Sequence, residues 1–253
     1  MKLKIKLITA SAALLGAMAF AQEAPPKARP AASTILISNV RIFDGKSEKL
    51  SDSMNVLIQA NRIQKISASP IATDRRADTV LIDGGGRTLM PGLIDAHTHI
   101  MFATLPQMVV LTSDIGFISV AAVKAANDML MRGFTSIRDL GGPVFGLKRG
   151  IDTGLVPGPR IWPAGAFISQ TGGHGDFRLP TDLPARPGDH SYSERIGAAA
   201  IADSADSVRQ RVREQLALGA SQIKLMAGGG VSSSFDPLDV TLKDGKIYKN
   251  TLK

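Results

Sequence analysis

Leu89-Met90-Pro91-Gly92-Leu93-Ile94-Asp95-Ala96-His97-Thr98-His99-Ile100 is the stretch whose reading decides the fold. Gly84-Gly85-Gly86 punctuates the chain before it, and Pro91-Gly92 marks a turn inside it. Leu93 to Ile100 then reads as a short buried strand. In a strand, residues two apart point to the same side, so His97 and His99 are predicted to project together, with Asp95 on their face. Two imidazoles on a rigid strand suit a divalent metal such as zinc. Asp95 is placed to orient one of them from behind. On this pair alone, a purely structural role for the two histidines stays open.

Upstream of the stretch the pattern is that of β-structure. Thr34 to Phe43 reads as a strand ended by Asp44-Gly45. Met54 to Ile66 reads as a hairpin around Ala60-Asn61, and Thr79 to Asp83 as a further strand. Strands with no helix between them predict a small β-sheet domain over residues 34–88. Downstream the pattern changes. Val120 to Met131 has helical periodicity and ends at Gly133. Phe134 to Leu140 reads as a strand, Val144 to Asp152 as a short helix, and Arg160 to Ser169 as a strand. Ser207 to Leu218 reads as an amphipathic helix with Ser204 or Ser207 as its cap, and Gln222 to Met226 as a strand. This alternation predicts βα units and a parallel sheet of four strands marked by His97, Asp139, Phe167 and Lys224. The fold class is α/β.

One connection is long. Gln170 to Asp206 carries Thr171-Gly172-Gly173-His174-Gly175-Asp176, several prolines and His190. Long loops in compact domains are commonly functional, and in a βα barrel this one would lie on the C-terminal face with the active site. Lys224 lies in the apolar run Ile223 to Met226, where an unpaired lysine is costly to bury. Two readings stay open for it. It can snorkel from a strand end, or it can be a neutral, nucleophilic lysine that takes up carbon dioxide as a carbamate. Gly228 to Gly230 reads either as a tight turn or as an anion cradle.

The N-terminus begins with Lys2, Lys4 and Lys6, followed by the uncharged run Leu7 to Phe20 and the small-x-small signature Ala19-Phe20-Ala21. Residues 1–21 are read as a secretory signal peptide, residues 22–33 as a Pro/Ala-rich linker, and the location as periplasmic or secreted. The uncharged run is short for a bilayer span, so no stable membrane insertion is expected after cleavage. The chain has no cysteine, so export brings no disulfide framework. The formal charge is +8. Removing the three signal lysines from 30 basic residues leaves 27 against 22 acidic ones, a net of +5. These charges are dispersed and aromatics are few, so nucleic acid is not an expected partner.

The β-rich lead-in, the stretch Leu89 to His99, Thr135-Ser136-Ile137-Arg138-Asp139-Leu140-Gly141-Gly142, Gly158-Pro159-Arg160-Ile161, and Ile223-Lys224-Leu225-Met226 with its glycines together resemble the amidohydrolase superfamily. Within it, they resemble the imidazolonepropionase-like and Xaa-Pro dipeptidase-like metal-dependent hydrolases. Thr171 to Asp176 is similar to the loop those members carry after the third barrel strand. The resemblance spans roughly Ile35 to Val240. It implies a (β/α)8 TIM-like barrel, here its first half over residues 89–240, preceded by a β-sandwich domain. It implies one or two divalent metals, commonly zinc, with His97, His99 and a carboxylated Lys224 as ligands. Asp95 and Asp139 would support the ligands without touching the metal. His174 would contact the substrate or its oxyanion, or else organise its loop, and His190 would be a surface residue. The implied chemistry is hydrolysis of an amide or dipeptide by metal-activated hydroxide. An oligomer of the full-length protein is compatible with it.

The family pattern also includes a histidine on strand 5, another on strand 6 and an aspartate on strand 8. No histidine follows His190, and residues 241–253 are a lysine-rich tail unlike the expected helix start. A chain truncated after barrel strand 4, and inactive alone, is therefore expected. The alternative is a non-catalytic remnant or binding module of the same fold.

Export has a direct test. Intact-mass measurement of protein from a secreting host is expected to give a chain beginning at Gln22, and a mass that retains Met1 to Ala21 would argue for an anchor.

Overall fold

The computed structural model describes residues 34–228, except 75, 77, 184, 185 and 187, together with the backbone of two strands at 240–243 and 246–250. The signal peptide (1–21), the linker (22–33) and two of the three glycines of the terminal run, Gly229 and Gly230, lie outside the described residues. The chain divides into two compact units, with the boundary between Met90 and Pro91. No helix among the described residues is long and apolar enough to cross a membrane.

In the first unit, β1 (Thr34–Ile42), β2 (Ser53–Gln59), β3 (Arg62–Ser67), β4 (Thr79–Asp83) and β5 (Thr88–Leu89) form one mixed sheet. β1 lies at its centre, antiparallel to β2 and parallel to β4 and β5. The hairpin turns at Ala60 and Asn61 as the sequence predicts, with Ala60 at φ +54°. Asn39, at φ +53°, marks an irregularity in β1 between Ile37 and Val40. Asparagine tolerates this left-handed conformation better than most residues. The described residues of this unit form a single sheet rather than two facing ones.

The second unit is α/β. β6 (Leu93–Thr98), β7 (Phe134–Asp139) and β8 (Arg160–Pro163) pair in parallel and in that order. β9 (Phe167–Ser169) pairs in parallel with β10 (Ala199–Ile201) on one side and β11 (Leu225–Met226) on the other. The helices are α1 (Gln107–Thr112), α2 (Ile115–Met131), α3 (Phe145–Asp152), α4 (Tyr192–Arg195) and α5 (Ala205–Ala217). α2 presents Ile118, Ala122, Ala125 and Ala126 to a core that also holds Ile137 of β7, Ile161 of β8 and Leu147 of α3. Three alanines on one stripe let the helix approach the sheet closely. Val208 and Val212 of α5 pack on a second cluster around Ile168 of β9 and Ala200 of β10. A hairpin, β12 (Val240–Lys243) with β13 (Lys246–Asn250), follows.

Four sequence expectations change. First, α2 begins five residues earlier than Val120, because Asp114 accepts the N–H of Phe117 and caps the helix there. Second, Arg160 to Ser169 is not one strand. The chain bends at Gly165 (φ +74°), and β8 and β9 join different sheets. A Cβ at Gly165 would lie 2.3 Å from Gln215 Oε1 and 2.8 Å from Phe145 Cζ, so the bend admits no side chain. Third, the long connection contains β10, a parallel strand missing from the predicted four. Ala198-Ala199-Ala200 has weak strand propensity and forms a strand because it is buried against β9. Fourth, the last predicted strand contracts to Leu225–Met226, so Lys224 precedes the strand, although its carbonyl still accepts the N–H of Ile168 at 2.9 Å.

Ser204 caps α5 through a reciprocal pair of bonds with Ser207, which resolves the choice between the two serines. The same helix secures the bend between β8 and β9. Gln215 is buried at 6 % exposure, and its Oε1 accepts the N–H of Ala166 at 2.9 Å. Gln215→Ala leaves that N–H buried and unpaired. It is expected to destabilise the second unit by about 1–3 kcal/mol, read from the shift in its urea unfolding midpoint by circular dichroism.

Candidate metal centre

β6 delivers the two histidines, though not by simple alternation. Asp95 pairs with Ile137 and Thr98 with Asp139, so three steps along β6 match two along β7. The extra residue is a bulge at Ala96 and His97, which frees a backbone donor from the ladder. Asp95 takes that donor: its Oδ1 accepts the His97 N–H at 2.9 Å. The expectation that Asp95 orients an imidazole is thus revised to a bond with the backbone of His97. His99 lies one residue beyond the strand. The two rings still meet edge to face, with centroids 5.6 Å apart.

His99 is held from both sides by one carboxyl group. Asp139, the last residue of β7, has 0 % exposure. Its Oδ2 accepts the N–H of Ile100 at 2.7 Å and its Oδ1 that of Gly141 at 3.3 Å. The Gly141 carbonyl in turn lies 3.3 Å from His99 Nδ1. With Nδ1 donating to that carbonyl, Nε2 keeps its lone pair for a ligand. A Cβ at Gly141 would lie 2.5 Å from Phe167 Cδ1 and 3.0 Å from His99 Nδ1, so glycine is required for this approach. Burial pushes the Asp139 carboxyl up to about 7, against the pull of its two N–H donors. Burial also lowers the pKa of His99, opposed by the Gly141 carbonyl and reinforced by the nearby His97, Lys224 and His174. The structure therefore sets His97 beside His99 and brings His99 and His174 to one cavity, with Lys224 near enough to act on the His99 ring electrostatically.

The loop bearing His174 is tied to the segment bearing Lys224. The buried Ser169 donates to the Met226 carbonyl at 3.1 Å and accepts the Gly175 N–H at 3.0 Å. Gln170 Nε2 reaches the Ala227 carbonyl, and the His174 N–H reaches the Gly228 carbonyl at 3.0 Å. Inside the loop, burial raises the Asp176 carboxyl, but its bonds with Arg178 and the Gly172 N–H outweigh this and leave it below the usual carboxylate range. Asp203 accepts both the N–H and the hydroxyl of Thr171. His190 is an exposed residue 3.6 Å from Glu194, as expected. Sequence reasoning missed Ser169, Gly141 and the walls of a cavity of about 570 Å³ that opens at His99 and His174. Ser169 ends an apolar strand and carries no local signal of its role.

The donor set fits a divalent cation in part. Two adjacent imidazoles with one fixed tautomer are suitable ligands. Among the described residues no group of three or more His, Cys, Asp and Glu side chains is positioned to hold a metal ion. The carboxylates of Asp95 and Asp139 are turned to backbone donors. Lys224 is half-buried, and among the described residues it forms no ion pair.

His99 and His174, which follow the parallel strands β6 and β9, line the cavity at the C-terminal ends of those strands, the face on which α/β folds commonly place their sites. Residues 88–249 match the amidohydrolase family, and the chain belongs to it. Ochratoxinase of Aspergillus niger is 35% identical over 169 residues, 58% of this chain and 32% of the relative. A prolidase solved in complex with N-methylphosphonate-L-proline superimposes with a TM-score of 0.71 at 36% identity, over 81% of this chain and 49% of that one. A Xaa-Pro dipeptidase with methionine bound in its active site gives a TM-score of 0.60 at 28% identity, over 76% and 47%. The chain spans about a third of the length of the curated ochratoxinase and about half of the solved prolidase.

Asp139 gives the metal-free chain a pH signature. Burial pushes its carboxyl up to about 7 in the fold from an ordinary value of 3.8 when unfolded, so the folded state binds the extra proton between these values. Its contribution to stability is fully present below about pH 3.8 and is lost as pH rises through about 7. Asp139→Asn is expected to flatten that part of the slope, measured as urea midpoints at a series of pH values in the presence of a chelator.

Proposed function

We propose that this chain carries part of the metal centre of an exported amide hydrolase acting on small, dipeptide-like substrates. The observation that carries the reading is that His99 and His174 line one cavity, with His97 beside His99 and the half-buried Lys224 near enough to act on the His99 ring. Membership in the amidohydrolase family and likeness to a solved prolidase support it. The family resemblance suggests a barrel carrying this centre, and a composite β-sandwich as a separate domain.

In this reading His97 and His99 would hold a divalent metal through their imidazoles, and Lys224 would supply oxygen ligands as its carbamate. When bound, such a metal polarises the amide carbonyl and makes water available as a nucleophile near neutral pH. The protein's own contributions are separate. Asp139 and Gly141 keep His99 in one tautomer. Ser169 fixes the distance between the Lys224 segment and the loop of His174. His174 faces the cavity and is the group to meet the substrate carbonyl or the developing oxyanion. His97, His99 and Lys224 are three of the six ligands that the resemblance implies. Hydrolysis is therefore proposed for a protein with the complete set, and no turnover for this chain alone. A non-catalytic role for the chain is the competing reading, and it predicts no defined metal stoichiometry.

In a protein with the full ligand set, Lys224→Ala is expected to lower metal affinity or rate by roughly 10- to 100-fold or more, since even supporting residues around metal ligands reach that range. Native mass spectrometry with and without bicarbonate is expected to show zinc together with the added mass of one carbon dioxide, both lost in the variant. Unchanged zinc content and activity in Lys224→Ala would refute the ligand role.

A further inference from the structure

The cavity at His99 and His174 has a polar end and an apolar body. Its body is walled by Phe102, Leu105, Val110 and Leu111 from the segment after β6, and by Phe177 and Ile196 from the segment after β9. Among the described residues, no aspartate, glutamate, lysine or arginine lines it. Its volume of about 570 Å³ lies within the range of small-molecule sites.

The two walls are joined to each other and to the sheet before any ligand arrives. The Tyr192 hydroxyl donates to the Ser113 carbonyl, which ties the second wall to the turn between α1 and α2. Phe177 meets Phe167 of β9 edge to face, with centroids 5.7 Å apart and planes at 78°. On the first wall, Phe102, Leu105 and Val110 pack against the core under α2. A cavity braced in this way loses little freedom when it is filled.

We infer that this cavity selects amides bearing a neutral, apolar group of the size of an aromatic ring next to the scissile bond. The inference rests on the proposed hydrolase reading and gives its substrate class. With the amide carbonyl at His99 and His174, the neighbouring substituent enters the apolar body. A charged substituent would lose its hydration there without a partner and is rejected. A substituent as small as a methyl group leaves the walls unfilled and gains little.

The test compares 3-phenylpropionamide with propionamide by ligand-observed NMR titration of the chain, first without metal and then with zinc. A preference of roughly tenfold to a hundredfold for the phenyl compound is expected. Leu111→Ser and Phe177→Ala are each expected to reduce it several-fold, and if one variant does not fold the other decides. Equal binding of the two amides, or a preference that neither folded variant changes, overturns the inference. Zinc stoichiometry, measured in parallel, reports on the hydrolase reading separately. Retained phenyl preference without zinc uptake supports the cavity's selectivity while counting against the metal centre.

Discussion

The buried carboxyl group of Asp139 is the constraint on which the candidate site depends. It has no contact with solvent and accepts two backbone N–H groups from different segments, one just past His99 and one at Gly141. Burying a carboxyl is costly, and the cost shows as its tendency to stay protonated up to about 7. The return is geometric. The residue after His99 is pinned on one side and the carbonyl facing its Nδ1 on the other, so the ring has one orientation and one tautomer. A mobile histidine would lose that selection.

A second set of bonds extends the same logic across the second unit. Ser169 lies at the end of β9, between the segment of Lys224 and the loop of His174, and bonds to both sides. Each such bond contributes only about 1 kcal/mol net to stability. Their weight lies in fixing where the side chains stand, which a metal or substrate site needs to a fraction of an ångström. Gln215 does comparable work at the bend between β8 and β9, where the crowding around Gly165 leaves no room for a side chain. The bend lets one stretch of chain leave the sheet with β7 and enter the sheet with β11. The two groups of functional residues are joined through it.

The helices contribute packing rather than chemistry. The alanine stripe of α2 and the valines of α5 seat them against the strands, and the functional side chains lie on or beside the strands and in the loops that flank them. This division is the usual one in α/β enzymes, where the loops vary the chemistry over a constant packed base. The cavity follows from it, because its walls come from the segments after β6 and β9 and its base from Phe167 and Met226.

Much of this was legible in the residues alone. Strand-like runs between turn residues predicted the strands of the first unit, helical periodicity predicted the bodies of α2 and α5, and serine chemistry narrowed the α5 cap to Ser204 or Ser207. The His-x-His pair and the order of the motifs gave the family. All of these are local signals, carried by neighbours a few residues apart. What only the tertiary structure decided lies between distant residues: Asp139 with Ile100 across 39 positions, Gln215 with Ala166 across 49, and Ser169 with Met226 across 57. The strand at Ala199–Ile201 exists because burial against β9 overrides weak propensity, and the Asp95 carboxylate turns to the backbone because a bulge frees a donor there. Propensity and periodicity are properties of a segment. A buried donor finds its acceptor only when the fold has brought the two segments together.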